Sequence, residues 1–108
     1  MSKEMWLISI AENYYCSVET YKFEGTEKEA KDHLWEIFES AKKKAKDNIH
    51  NAYDKIDTEY NTKDDLRCEA GSFYADYYVD ANERTVTFRA EKYQNLKTYD
   101  FSDVLTIY

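Results

Sequence analysis

Glu29, His33 and Glu36 recur at i, i+4 and i+7, so on a helix they share one face. Two carboxylates around an imidazole could hold a metal ion or relay a proton. The same stretch is crowded with Glu and Lys, however, and a solvated helix face produces such triples without function. The other histidine, His50, lies seventeen positions on and faces elsewhere. Neither histidine sits in a local motif that would make Cys16 a nucleophile. Cys16 and Cys68 are too few and too far apart for a disulfide framework or a zinc motif, so both are expected to be reduced thiols. Two isolated glycines, Gly25 and Gly71, cannot build a phosphate-cradling loop. Catalysis, a cofactor and a metal are therefore not expected, and the chain points to a binding protein.

Charge narrows the partner. The 108 residues carry 15 basic and 22 acidic side chains, a net charge of -7. That balance argues against direct contact with nucleic acid or an anionic membrane, where Lys and Arg must neutralise phosphate. It suits a basic protein partner, and it also serves simple solubility. Residues 26–56 are neutral, with seven Lys against seven acids, and hold the cluster Lys42, Lys43, Lys44 and Lys46. The surplus acid collects in residues 57–80, where Asp57, Glu59, Asp64, Asp65, Glu69, Asp76 and Asp80 face only Lys63 and Arg67. Tyr60, Tyr74 and Tyr78 are interleaved with them. Tyr is an interface anchor, and carboxylates pair bidentately with Arg. The acidic-aromatic face at residues 57–80 is thus the candidate partner-binding site: Asp57, Glu59, Tyr60, Asp64, Asp65 and Glu69 with an exposed, alternating row of Tyr74, Asp76, Tyr78 and Asp80; an ordinary solvated sheet face is the plainer alternative.

The elements that must position this face follow from periodicity. Trp6, Ile8 and Ile10 alternate as one face of a strand over 5–10, Glu12-Asn13 suggests a tight turn, and a second strand is expected over 14–23. Apolar parity switches within that second strand, which implies a bulge or cover on both faces. Thr26 and Glu29 fit a capping box, and an apolar stripe runs from Ala30 through Leu34, Ile37, Phe38, Ala41 and Ala45 to Ile49, Ala52, Tyr53 and Ile56. A helix over 27–56 would be about 45 Å long, against a radius of gyration of about 13 Å for a domain this size. It is expected to break near Asp47 to Asn51 or to overhang, and an overhang would favour a helix-mediated dimer seam. Residues 57–65 read as a loop. Strands over 70–79 and 84–93 form a hairpin, and a last strand is expected over 99–108. The predicted fold is a single α+β domain: an antiparallel sheet of four to five strands with one long helix on one face, in the order β-β-α-(α)-β-β-β.

No run of 18 apolar residues could span a bilayer, and no secretory leader is visible, so a cytoplasmic location is expected. In size, acidity, Tyr content and layout the chain resembles small proteins of phages and mobile elements that inhibit bacterial defence, among them anti-CRISPR proteins and DNA mimics. The resemblance is one of style along the whole chain and rests on no motif. It implies a stoichiometric, non-enzymatic inhibitor that occupies a basic nucleic-acid channel, such as that of a CRISPR effector, or a protein interface on its target; the chain itself is expected to be a monomer or a homodimer.

Overall fold

A computed structural model describes residues 3–47, 55–79 and 83–93. The strands β1 (Glu4–Glu12) and β2 (Ser17–Gly25) precede the helix α1 (Glu27–Asp47). A two-residue strand β3 (Ile56–Asp57), a 3-10 turn (Lys63–Asp65), β4 (Ser72–Val79) and β5 (Arg84–Lys92) follow. The five strands form one antiparallel sheet in the order β2-β1-β5-β4-β3, so the α+β class and the β-β-α-β-β-β order are as the sequence predicts.

Alternation sets the core. Trp6 and Ile8 of β1, Phe73, Ala75, Tyr77 and Val79 of β4, and Val86, Phe88 and Ala90 of β5 all point to one face of the sheet. There α1 lays Ala30, Leu34 and Phe38, each fully buried, across them. Phe38 is the hub: its ring meets Phe88 at 5.4 Å and Tyr77 at 6.1 Å, both edge-on. The helix starts on the predicted capping box. Thr26 N donates to Glu29 Oε1 at 2.9 Å, and Glu29 N donates to Thr26 Oγ1 at 3.2 Å. The Glu29 carboxyl is thereby held below its ordinary value.

The structure corrects the place of Ile56, the β1–β2 turn, the expected bulge and the start of β4. The fifth strand is Ile56–Asp57, paired with Val79 and Tyr78, so Ile56 belongs to the sheet and the helix does not reach it. The expected strand over 99–108, and the stripe residues Ile49, Ala52 and Tyr53, lie outside the described residues. Tyr14, Tyr15 and Cys16 belong with Asn13 to the β1–β2 turn rather than to a strand, and Cys16 takes a positive φ of 54°. With those residues in the turn, β2 pairs with β1 over nine consecutive positions without a bulge, and Val18 alone keeps the other parity, exposed on the face away from the helix. Asn13 instead clamps the turn to the neighbouring hairpin: its Oδ1 accepts from Thr85 N at 2.7 Å and its Nδ2 donates to the Glu83 carbonyl at 3.2 Å. Finally, β4 begins at Ser72 because Ala70 and Gly71, at φ 52° and 77°, make a two-residue turn closed by reciprocal Glu69–Ser72 backbone bonds. Positive φ at both central positions matches the twist of the flanking strands.

Candidate acidic-aromatic cleft

The candidate face is built where residues 58–69 wrap the edge of β4. Two anchors hold the wrap. Leu66 is 1% exposed, tucked into the core between α1 and the sheet. Thr58 Oγ1 donates to the Asp76 carbonyl at 2.6 Å and accepts from Tyr60 N at 3.0 Å. Tyr60 is thereby folded over the strand edge, with its ring 6.3 Å from that of Tyr74 on the open face and 6.4 Å from Phe38 in the core. Lys63 adds an exposed ion pair to Asp32 of α1 at 2.9 Å, an interaction of little energetic weight.

The wrap encloses a cleft of about 550 Å³. Glu59, Asp65 and Glu69 supply carboxylates, and Tyr60 and Tyr74 supply rings. Arg67 and Arg89 line it as well, so three negative groups face two positive ones. A smaller cleft of about 360 Å³ adjoins it, where Asp57 and Asp76 meet Glu59 and Tyr60 again. These seven of the predicted residues are thus brought together. Asp64 turns to the other side of the wrap, towards Lys28, Lys31 and Cys68. Tyr78 stands at the far end of β4, opposite Asp57 and Thr85. Asp80 lies outside the described residues.

Two features differ from the sequence expectation. First, Tyr74, Asp76 and Tyr78 are half-buried rather than exposed. Tyr60 and the guanidinium of Arg89, 5.6 Å from the Tyr74 ring centre, cover part of the row. Second, Asp65 already has partners. Its Oδ2 accepts from Asn61 N at 2.8 Å and Thr62 N at 2.9 Å, which holds its carboxyl below the usual range. It stabilises the turn more than it offers a free charge.

Proton states follow from the same contacts. Loss of water raises the Tyr60 hydroxyl, and Asp76, Glu59 and Glu69 raise it further. Tyr74 is pushed up to about 12 by desolvation, by its hydrogen bond to Asp76 and by the Asp76 charge. Both rings remain neutral hydrogen donors at physiological pH. Neither is placed to act as a general base, and the Cys68 thiol is likewise raised by burial and by its 3.3 Å bond to Glu27. Glu29, His33 and Glu36 do not assemble a site. The Glu29 carboxylate caps the helix, and His33 Nε2 shares a 2.6 Å hydrogen bond with the Tyr21 hydroxyl while stacking on Phe23. Among the described residues no group of three His, Cys, Asp or Glu side chains could hold a metal ion, and no helix is long and apolar enough to cross a membrane.

Sequence reasoning missed Thr58, Leu66, Arg67 and Arg89 as parts of this site. Leu66 is the one aliphatic residue in a polar run, a signal that it must be buried. Arg89 was legible too, because the hairpin register sets it directly opposite Tyr74.

No family model matches the chain, and no curated protein or solved structure matches it at a significant level. Function must therefore be argued from the cleft.

Proposed function

We propose that the protein is a non-enzymatic binding module that engages a basic surface of a protein partner through the cleft at the β4 edge. The observation that supports this is the convergence of Glu59, Glu69, Tyr60 and Tyr74 on one cavity, in a chain of net charge -7. A guanidinium entering it finds carboxylates for bidentate pairing and aromatic faces for stacking. Arg67 and Arg89 add a requirement: the partner surface carries carboxylates among its Arg and Lys. A plain phosphate mimic would lack those two cations. In keeping with its resemblance to anti-defence proteins, we place the target among bacterial nucleic-acid-binding effectors, such as a CRISPR effector, in the cytoplasm.

The alternative, a self-associating domain with a helix seam, has less support. The stripe residues Ala30, Leu34 and Phe38 are buried against their own sheet, and Ile37, Ala41 and Ala45 pack against that core.

The test is titration with an Arg-rich peptide in rising salt. Glu59→Lys with Glu69→Lys is expected to weaken binding at least tenfold, whereas the same reversal at Glu19 and Glu24 on the distant β2 leaves it near the parent value. Equal loss from both pairs would reduce the effect to net charge and sink the cleft. A purified CRISPR effector then decides the target class: DNA cleavage that persists at a molar excess of the protein removes that effector.

A further inference from the structure

The cleft at the β4 edge holds charges of both signs that do not neutralise one another. Among the described residues, Glu59, Glu69, Arg67 and Arg89 close no ion pair, although all four line the same cavity of about 550 Å³. Asp65, the fifth charge, is already held by the Asn61 and Thr62 amides. The open charges are therefore balanced, two negative against two positive. Glu59 and Glu69 both act on the Tyr60 hydroxyl and raise its proton affinity, so the negative pair gathers about that group. Arg89 instead lies over the Tyr74 ring, 5.6 Å from its centre, and Ser72 follows the same face of β4 two positions away. The Tyr60 and Tyr74 rings stand 6.3 Å apart, centre to centre. Arg67 is exposed on the rim, where it also lines the neighbouring cleft of Lys28 and Lys31.

A cation alone matches half of this site, because it meets Arg67 and Arg89 as well as the glutamates. A carboxylate alone meets the glutamates. A group that carries both charges on one residue satisfies both pairs, and ordering one residue costs less than ordering two from separate parts of a chain. Inside a polypeptide, Arg and Lys bring one charge. At a C-terminus they bring two, the α-carboxylate and the side-chain cation, joined by an apolar stem that packs on aromatic rings. Guanidinium groups pair bidentately with carboxylates, and capture of a chain terminus is a recurrent mode of recognition. The cavity has the size of sites that enclose small groups rather than whole elements.

We propose that the cleft takes the C-terminal Arg or Lys of a partner protein, with its α-carboxylate on Arg67 and Arg89 and its side-chain cation at Glu59 and Glu69. This rests on the reading of the cleft as the partner-binding site, and it narrows what enters to a basic chain end. The test is calorimetric titration of the full chain with a short Ala-rich peptide ending in Arg, as the free acid and as the C-terminal amide. Amidation makes the peptide more basic, so net charge alone would tighten its binding to a chain of net charge -7. The reverse is expected, a loss of at least tenfold. Arg67→Gln, at an exposed position, is expected to narrow the gap between acid and amide, and Arg67→Gln with Arg89→Gln to close it. An amide that binds as well as the acid overturns the proposal; if Glu59→Lys with Glu69→Lys then still weakens both peptides, the cleft itself stands. Peptides indifferent to those reversals would remove the cleft as well. Free arginine binding as tightly as the peptide would make this a small-molecule site and equally overturn the proposal.

Discussion

Tyr74 donates its hydroxyl hydrogen bond to Asp76 Oδ2, two residues along the same face of β4, at 3.0 Å. Asp76 is engaged a second time through its backbone carbonyl, which accepts from Thr58. The residue therefore ties the wrapping segment to the strand by its main chain and fixes a ring of the cleft by its side chain. An alternating Tyr/Asp row can thus be self-satisfying: one carboxylate aligns its neighbouring phenol, and the remaining ones, Glu59 and Glu69, are the charges offered outward.

This pairing predicts an alkaline weakness. Tyr74 holds its proton up to about 12, against about 10 in an unfolded chain. The folded state binds that proton more tightly, so the associated stability is complete below about pH 10 and is lost as pH rises through the folded value. Tyr60, Tyr77 and Tyr21 are raised too, each chiefly by burial, and act in the same direction. Tyr74→Phe is expected to cost about 1 kcal/mol at neutral pH, the worth of one partly exposed hydrogen bond to a charged group. It is also expected to flatten, without abolishing, the fall in stability above pH 10. Urea midpoints at pH 8 and pH 11 measure both effects; an unchanged difference between the two would remove Tyr74 from the account.

The core and the cleft are joined through Phe38. Its ring touches Phe88, Tyr77, Trp35 and, through the strand edge, Tyr60. Phe38→Ala deletes a fully buried ring and is expected to destabilise by about 3–5 kcal/mol. Phe38→Leu keeps most of the volume and should keep the fold. Because Tyr60 loses an aromatic neighbour in that milder variant, peptide binding at the cleft is expected to weaken even where denaturation shows a folded protein. Binding equal to the parent would mean that the Thr58 anchor alone positions Tyr60.

The contrast between β4 and β2 explains how far the sequence reaches. Phe73, Ala75, Tyr77 and Val79 alternate against one helix, and periodicity alone identifies them as core. The β1–β2 turn was misplaced because Tyr14, Cys16 and Val18 carry the residue types of a strand; tertiary bonds to Asn13 outvote local propensity there. The two-residue β3 is too short to show any period and exists because Val79 and Tyr78 offer an edge. The cleft was half legible. Its acids and tyrosines are visible in composition, and Arg89 follows from the hairpin register, but Arg67 enters it through the path of the wrap, which is not a local property of the chain.

The two glycines make separable predictions about that wrap and the helix start. At Gly25 the constraint is space. An added Cβ would stand 2.9 Å from the Phe23 ring and 3.1 Å from Glu29 Cβ, beside the carbonyl that accepts the Trp6 indole N–H at 3.1 Å. Gly25→Ala is expected to cost about 1–3 kcal/mol through overpacking, and Gly25→Asn more. At Gly71 the constraint is backbone conformation, with φ at 77° in the turn that presents Glu69 and Ser72 to the cleft. Gly71→Ala is expected to cost about 1 kcal/mol, whereas Gly71→Asn, which accepts positive φ more readily, costs less. The order of Ala and Asn is thus opposite at the two positions. Thermal denaturation of the four variants checks it, and the same order at both sites would show that one of the two constraints is misassigned.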